Sequence, residues 1–286
     1  MAEIQPADLS YLAQFLLARS GLVVNADKAY LLESSLGPLA RKLGIASIAA
    51  LIAKLRGGDI KLEQMVVEVM TTNESFFFRD QKPFDHFRDH VLPHMIQTRA
   101  AKRSLRIWCA AASTGQEPYS IAMILKEAAA KLAGWRIEIV GTDISREVLD
   151  RARQGNYSQF EVQRGLPLTH LVKYFKKIDE VWQIDASLRT MVQYKEWNLL
   201  QDPRPLGQFD VVFCRNVLIY FDNPTKGKVL TNIAKLMPEE GFLYLGGSET
   251  VIGLTTGLTP QPEQRGVYRR ETALVKEPAA AFSSRV

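Results

Sequence analysis

Apolar and polar positions alternate with helical periodicity over the first seventy residues. Leu9, Leu12 and Leu16 recur on one helical face, and similar stripes continue to Met70. Glycines separate these stripes, and glycine commonly ends a helix. The pattern predicts four short amphipathic helices, at about residues 8–20, 27–43, 47–56 and 61–70. We therefore expect a small all-helical N-terminal domain over residues 1–72.

A polar segment and three consecutive phenylalanines interrupt this pattern. We expect Phe76-Phe77-Phe78 to pack in the core between two domains. A helix is then predicted from Pro83 to about Thr98, because proline suits the first turn of a helix. Residues 73–98 are therefore expected to form a linker and a connecting helix.

Short apolar runs alternate with helical stripes over the rest of the chain. The predicted strands are 105–110, 137–141, 181–184, 191–194, 209–214, 241–245 and 266–270, and the predicted helices are 118–132, 146–153 and 224–237. Strands that alternate with helices indicate an α/β domain with a mixed, mostly parallel sheet covered on both faces. We place this domain at residues 99–272 and expect a flexible tail over 273–286.

Composition identifies an ordinary soluble globular protein, with 47% hydrophobic and 23% charged residues. Its apolar stretches are well short of the roughly 20 residues that span a bilayer, and the first six residues do not resemble a secretory signal. We expect a cytoplasmic protein without membrane insertion. The net charge of +5 fits an acidic partner or a nucleic acid, and charge alone does not distinguish the two.

Residue types that bind metals occur in two places, and neither has the spacing of a metal site. Cys109 and Cys214 each lie in an apolar run, which favours buried thiols. His86, His90 and His94 share one face of the predicted connecting helix. Neither HExxH nor clustered cysteine accompanies them. We expect surface imidazoles or contacts with nearby aspartates, and no metal.

The loop after the first predicted strand has the place of a nucleotide-binding loop. Residues 110–118 contain one glycine among small side chains, which let a ligand approach the backbone closely. The loop has no lysine for phosphates, so a P-loop is excluded. Glu117 would repel a pyrophosphate, and the expected ligand therefore lacks phosphates.

Polar side chains also follow three further strands, and ligands of open α/β sheets bind at these carboxyl ends. Asp143 follows the second strand, where a carboxylate accepts from both ribose hydroxyls. Asn198 follows a later strand, and its amide suits an adenine edge. Arg215-Asn216 directly follows the most strongly apolar strand. Together these ends describe a phosphate-free adenosine ligand, and S-adenosylmethionine is the obvious one.

The ordered set of motifs resembles the CheR family of chemotaxis receptor methyltransferases, and the resemblance extends to about Arg270. The motifs that carry it are 71–79 (TTNESFFFR), 110–120, 142–143, 214–222 (CRNVLIYFD) and 246–249 (GGSE). It implies a Rossmann-like S-adenosylmethionine-dependent methyltransferase domain. The implied reaction methylates glutamate side chains of chemoreceptors and releases S-adenosylhomocysteine.

The resemblance also implies which residues form the site. Those expected to bind the cofactor are Asn73, Ser75, Arg79, Glu117, Asp143, Asn198, Leu199, Arg215 and Asn216. Arg79 and Tyr220 are expected nearest the transferring methyl, as catalytic residues. Family members often carry an arginine where this chain has Lys176-Lys177, which keeps the charge without the planar fork of a guanidinium.

The chemistry also fits these residue types without the family. A glutamate carboxylate, with an ordinary pKa of about 4.3, is already ionised at neutral pH and needs no general base. The enzyme must hold the reacting atoms in line and offset desolvation of the incoming carboxylate. A cation and a phenol suit these tasks.

The family further implies a small β-subdomain inserted at about residues 176–195. In some relatives its edge strand binds a pentapeptide at the receptor C-terminus by β-augmentation. Those relatives have a longer, glycine-containing loop here, whereas residues 178–182 are short and lack glycine. We therefore predict a pentapeptide-independent enzyme.

The implied partners are the cytoplasmic helices of methyl-accepting chemoreceptors, with the protein acting as a monomer and not on a nucleic acid. Two alternatives stay open at this point. One is a methyltransferase for nucleic acid, suggested by the basic charge but not by the motif after the strong strand. The other is a non-enzymatic S-adenosylmethionine-binding module that signals through its helical domain.

Overall fold

Helices alone build the N-terminal region of the computed structural model, which describes residues 4–25, 29–255, 257–262 and 264–270. They are α1 (Pro6–Ser20), α2 (Ala29–Lys42), α3 (Ile48–Arg56) and α4 (Ile60–Met70). Ser47 caps α3 by accepting the Ala50 N–H, and Asp59 caps α4. Their apolar faces form one core. The all-helical prediction is confirmed, whereas the tail predicted at 273–286 lies outside the described residues.

The connecting helix contains a wider turn that the sequence did not predict. It consists of α5 (Lys82–His86), a π-helical turn (Phe87–Val91) and α6 (Leu92–Thr98). The Leu92 N–H donates to the Phe87 carbonyl, five residues back. Pro93 follows and has no N–H to continue the α-helical ladder, which favours the wider turn.

Seven of the described strands form the central sheet, in the order β6-β2-β1-β7-β8-β10-β9. The first five are parallel, and β10 is antiparallel to both of its neighbours. This is the mixed, mostly parallel sheet that the alternating pattern predicted. The strands are β1 (Ser104–Cys109), β2 (Arg136–Asp143), β6 (Val192–Glu196), β7 (Val211–Cys214), β8 (Phe242–Leu245), β9 (Leu258–Pro260) and β10 (Val267–Arg270).

Helices cover both faces of this sheet, and two core clusters lie on its opposite sides. The longer helices are α7 (Gln116–Glu127), α8 (Arg146–Gln154) and α12 (Asn223–Leu236). Each follows a strand and begins beside its carboxyl end. This arrangement brings the loops that carry the predicted site residues to one edge.

A second sheet is small, antiparallel and earlier in the chain than expected. Its order is β3-β5-β4, formed by β3 (Asn156–Tyr157), β4 (Phe175–Ile178) and β5 (Val181–Ile184). The short helices α9 (Gln159–Gln163) and α10 (Leu168–Tyr174) join β3 to β4, and α11 (Ala186–Arg189) follows β5. The expected bounds of 176–195 therefore need correction. A two-residue strand has no periodicity to detect, and β6 pairs with β2 of the central sheet instead.

The three phenylalanines have separate environments. Phe77 and Phe78 are buried in the core of the α/β domain, not between the domains as expected. The Phe77 ring packs edge-on against Tyr157 and Phe175. Phe76 is only half-buried, and the Arg164 guanidinium lies over its ring. Phe77 and Phe78 thus anchor the linker to the α/β domain.

Two histidines of the connecting helix, His86 and His94, face strand β8 and not the aspartates beside them, whereas His90 is exposed at the surface as predicted. His86 Nδ1 lies 2.9 Å from the Tyr244 hydroxyl, and the His94 ring packs edge-on against Phe242. Burial lowers the pKa of both imidazoles. Among the described residues, no group of three or more His, Cys, Asp or Glu side chains is arranged to hold a metal ion. Both cysteines are buried, and neither forms a disulfide.

Hydrogen bonds join the helical domain to the carboxyl edge of the central sheet. The Asn198 amide donates to the Arg19 carbonyl (2.6 Å), and the Val23 N–H donates to the Tyr220 carbonyl (2.9 Å). The Glu68 carboxylate accepts the first N–H of α8. The C-terminal ends of α1 and α4 therefore form part of the wall around the strand ends. Within the described ranges, no helix combines the length and hydropathy needed to cross a membrane.

Candidate functional site

One cavity, partly open to solvent, lies at the carboxyl ends of the central strands. All ten residues predicted for the site line it, and they are Asn73, Ser75, Arg79, Glu117, Asp143, Asn198, Leu199, Arg215, Asn216 and Tyr220. The helical domain adds Ser20 and Leu22 to the wall. Residues far apart in sequence thus meet in one place, while the role of each remains a prediction.

The loop after β1 approaches the cavity with its backbone. Ser113 adopts a left-handed conformation (φ +48°) and Gly115 follows with φ +94°. A side chain on Gly115 would lie 2.7 Å from the Tyr194 hydroxyl, so only glycine fits this turn. The Ser113 hydroxyl donates to the Asn73 carbonyl (2.8 Å), which joins this loop to the linker.

Asp143 is almost fully buried at the end of β2. Its two carboxylate oxygens accept the backbone N–H groups of Ser113 (2.9 Å) and Ser145 (3.0 Å). Burial raises the pKa of Asp143, and these hydrogen bonds oppose that effect. Ser145 caps helix α8, so Asp143 is not needed as the N-cap. Its remaining lone pairs are available for hydroxyl donors.

The Asn198 amide forms hydrogen bonds with the protein itself at both ends. Its side-chain nitrogen donates to Arg19 and its oxygen accepts the Leu200 N–H (2.9 Å). Both ends of the amide are therefore engaged by the protein itself. The amide nitrogen has a second hydrogen and the oxygen a second lone pair, so the contact of Asn198 with an adenine edge stays a prediction.

Trp197 is a candidate that sequence reasoning missed. It lines the cavity, and its indole N–H is buried with no hydrogen-bond partner among the described residues. A buried donor without an acceptor is costly, and because this nitrogen is closed to solvent it is not itself exposed to the cavity. The only signal in the sequence was an aromatic residue directly before Asn198, which is more often a packing residue.

Arg215 forms the centre of a buried ion-pair cluster. Its side chain is 1% exposed and donates to Glu117 (2.9 Å) and Asp80 (2.8 Å). It also donates to the Arg79 carbonyl (2.8 Å). Burial raises the pKa of Glu117, while the Arg215 charge opposes the rise. Arg215 therefore anchors the walls of the cavity, a task that its position after β7 did not reveal.

Arg79 and Tyr220 occupy separate walls of the cavity. The Arg79 guanidinium donates to the Glu74 carbonyl (2.8 Å) and lies 5.5 Å from the centre of the Phe76 ring. Tyr220 ends a short 3₁₀ turn that follows β7, and its side chain is half-buried. A cation and a phenol thus border one space.

The remaining predicted positions fall into two groups, one beside the cavity and one outside it. Asn73 and Ser75 are half-buried in the linker beside the cavity. Lys176 and Lys177 lie exposed on β4 of the small sheet, outside the set of residues that line the cavity. The linker residues therefore stay candidates for the site, whereas the two lysines have no geometric support as catalytic residues.

The chemistry of the cavity fits S-adenosylmethionine. A carboxylate that retains free lone pairs suits the ribose hydroxyls. The loop of small residues allows close approach of the ligand to the backbone. Mixed polar and apolar walls of this kind are typical of sites for small organic ligands.

Family models match both domains of the chain. Residues 7–70 match "CheR methyltransferase, all-alpha domain", and residues 73–267 match "CheR methyltransferase, SAM binding domain". A chemotaxis protein methyltransferase 1 of Pseudomonas aeruginosa is 39% identical over 252 residues, which covers 87% of this chain and 92% of the relative. A chemotaxis protein methyltransferase 1 of Vibrio cholerae is 38% identical over 261 residues, covering 89% and 94%. The chain belongs to the CheR methyltransferase family.

Proposed function

We propose that this protein is a protein-glutamate O-methyltransferase that transfers a methyl group from S-adenosylmethionine to glutamate side chains of chemoreceptors. The observation that carries the proposal is that the ten residues predicted from the strand ends and the family resemblance all line one cavity. The names of the relatives describe chemotaxis methyltransferases. We expect a monomer that acts in the cytoplasm on the receptor's cytoplasmic helices and not on a nucleic acid.

In this proposal the chain binds its cofactor through groups on both domains. Asp143 accepts hydrogen bonds from the ribose hydroxyls. Asn216 and the linker residues Asn73 and Ser75 bind the methionine portion. S-adenosylmethionine, when bound, supplies an activated methyl group, and S-adenosylhomocysteine is its product. The Arg215–Glu117 pair holds the walls in place without being displaced.

The protein's own contribution to the reaction is positioning and charge. An ionised glutamate has no proton to lose, so a catalytic base is unnecessary. Arg79 compensates for the water that the incoming carboxylate must give up, and Tyr220 donates to one of its oxygens. Both are held locally, Arg79 by Glu74 and Tyr220 through the Val23 N–H. Alignment of oxygen, carbon and sulfur supplies several kcal/mol of the rate enhancement.

Replacement of Tyr220 tests the catalytic part of the proposal. Tyr220→Phe removes one hydrogen bond to a charged group, worth about 1.5–3 kcal/mol. We expect kcat to fall by roughly 10- to 100-fold, with S-adenosylhomocysteine affinity nearly unchanged. The assay is transfer of labelled methyl groups to cytoplasmic receptor fragments, with the product identified by the base lability of a methyl ester.

Tyr268→Phe is the matched control, because Tyr268 is buried on β10 away from the cavity. It should leave kcat unchanged. Equal rates for Tyr220→Phe and wild type would contradict a catalytic role for the phenol. A wild type that binds S-adenosylhomocysteine but methylates no receptor fragment would instead support the non-enzymatic alternative.

The small sheet supports a prediction about receptor docking. A two-residue turn, Asp179-Glu180, joins β4 to β5, without the longer glycine-containing loop of pentapeptide-binding relatives. We expect calorimetry to detect no binding of the receptor C-terminal pentapeptide at micromolar concentration. A scrambled pentapeptide is the control. Micromolar affinity for the native order alone would show that this prediction is wrong.

A further inference from the structure

Glu249 follows β8 and carries four hydrogen bonds that the reaction itself does not require. Its side chain is buried, with 9% of the residue exposed. Oε2 accepts the N–H groups of Gly246 (2.7 Å) and Asn216 (2.9 Å), and Oε1 accepts those of Val217 (3.0 Å) and Ile219 (3.2 Å). Glu249 lies in the 246–249 motif, for which the family resemblance supplied no role.

We propose that Glu249 is a positioning residue that fixes the loop of residues 215–220 for cofactor binding and methyl transfer. The inference rests on the proposed function. The loop presents Asn216 to the cofactor and Tyr220 to the substrate. Glu249 sets both by holding the backbone between them, and it is not one of the residues that line the cavity.

The backbone of this loop explains why it needs such support. Asn216 adopts a left-handed conformation (φ +57°), and only a single 3₁₀ turn follows it. Left-handed geometry is uncommon for residues other than glycine, although asparagine tolerates it better than most. The turn also leaves the N–H groups of residues 216, 217 and 219 without acceptors within the loop. A buried N–H without an acceptor costs about 1–3 kcal/mol, so one carboxylate stabilises a conformation that would otherwise be unfavourable.

The lack of space for a side chain at Gly246 is independent evidence for the position of the Glu249 carboxylate. A Cβ atom at this position would lie 2.8 Å from Glu249 Oε2 and 2.7 Å from the Asn216 side-chain nitrogen. Real Cβ atoms do not approach other atoms this closely, so a side chain here would displace the Glu249 carboxylate or Asn216. The close contact between β8 and the loop therefore requires glycine.

Glu249→Gln is the sharpest test, because glutamine keeps the shape and loses acceptors. Whichever way the amide points, its NH₂ group meets two N–H donors. We expect S-adenosylhomocysteine affinity and kcat each to fall at least tenfold. Amide hydrogen exchange over residues 215–220 should become faster by a similar factor. Glu138→Gln is the control, because it also removes charge-assisted hydrogen bonds, in this case to Arg106. Glu138 is the third residue of β2, away from the carboxyl end that borders the cavity.

A double-mutant cycle with Tyr220→Phe separates positioning from general destabilisation. If Glu249 acts through the loop, the double variant should lose little more kcat than Glu249→Gln alone. Additive losses would overturn the proposal. The proposal would also be overturned if Glu249→Gln kept its S-adenosylhomocysteine affinity and its kcat within twofold of the wild-type values. Gly246→Ala is the second variant and should cause the same pair of losses, and unchanged values for it would also contradict the inference.

The two proposals fail in different ways. If the folded wild type binds S-adenosylhomocysteine without methylating any receptor, the proposed function fails. The affinity and hydrogen-exchange measurements on Glu249→Gln then still decide the positioning role. If methylation occurs and Glu249→Gln changes neither loop exchange nor affinity, only the positioning role is wrong.

Discussion

Asp143→Ala is expected to abolish measurable binding of S-adenosylhomocysteine. The carboxylate would lose its charge-assisted hydrogen bonds to two ribose hydroxyls, each worth about 1.5–3 kcal/mol. A combined loss of about 3 kcal/mol or more weakens binding by at least roughly 100-fold. Isothermal titration of wild type and variant measures this directly.

Two further variants make the result interpretable. Asp143→Asn keeps one oxygen and should bind with intermediate affinity. Asp150→Ala removes an exposed carboxylate from helix α8, which pairs with Arg153, and should bind as wild type does. Alanine leaves the N–H groups of Ser113 and Ser145 without acceptors and therefore lowers the stability of the variant. Each titration is run at a temperature well below the midpoint of thermal unfolding.

The outcomes of this experiment are clear-cut. Wild-type affinity in Asp143→Ala would show that the adenosine portion binds elsewhere. Absence of binding to the folded wild type would contradict the proposed function as a whole. Binding that is lost in Asp143→Ala and kept in Asp150→Ala is the expected result.

Arg215→Met should cause the largest loss of stability among the site variants. Removal of the guanidinium leaves the Glu117 carboxylate buried without its cation, and breaking a buried pair in this way costs about 3–5 kcal/mol. The thermal midpoint should fall by roughly 10 °C for a chain of this size. Thermal and denaturant unfolding of the two proteins measure the difference.

The loss of stability should depend on pH in a defined direction. Burial already raises the pKa of Glu117 in the folded protein, and removal of Arg215 raises that pKa further. The variant is therefore destabilised most at pH values above the folded pKa of Glu117, where the buried carboxyl is charged. The destabilisation should therefore shrink as the pH is lowered toward the ordinary glutamate value of about 4.3.

Glu117→Gln combined with Arg215→Met supplies the control. A neutral amide needs no cation, so the double variant should recover much of the lost stability at neutral pH. Equal stability of the single and double variants would contradict the pairing. A pH-independent loss would indicate that Arg215 stabilises the fold through Asp80 and the Arg79 carbonyl alone.

Local patterns predicted the elements that bury a regular face. The helices of the first domain and six of the seven strands of the central sheet end within a few residues of their predicted limits, whereas β9 was not predicted. The rule that polar residues follow strands also located the cavity, because parallel strands bring their carboxyl ends together whatever the loops between them. These features depend on periods of 3.6 and 2 residues, which are visible in a single sequence.

The functions of individual side chains could not be predicted in the same way. The Asn198 amide is occupied because helix α1, 179 residues earlier in the chain, ends beside it. Arg215 is buried because Glu117 and Asp80 reach it from two other segments. Such partners are set by tertiary contacts. The π-helical turn and the two-residue strand β3 were missed because neither has a periodic pattern.

The shared wall between the domains has a thermodynamic consequence. Ser20 and Leu22 border the cofactor cavity, while Asn198 and Tyr220 hold the end of the helical domain against it. A ligand that fills this cavity must therefore favour the docked arrangement of the two domains. By reciprocity, any partner that grips the helical domain in that arrangement tightens the cofactor site by the same factor. Receptor and methyl donor would thus bind with positive cooperativity, although neither needs to touch the other's contacts.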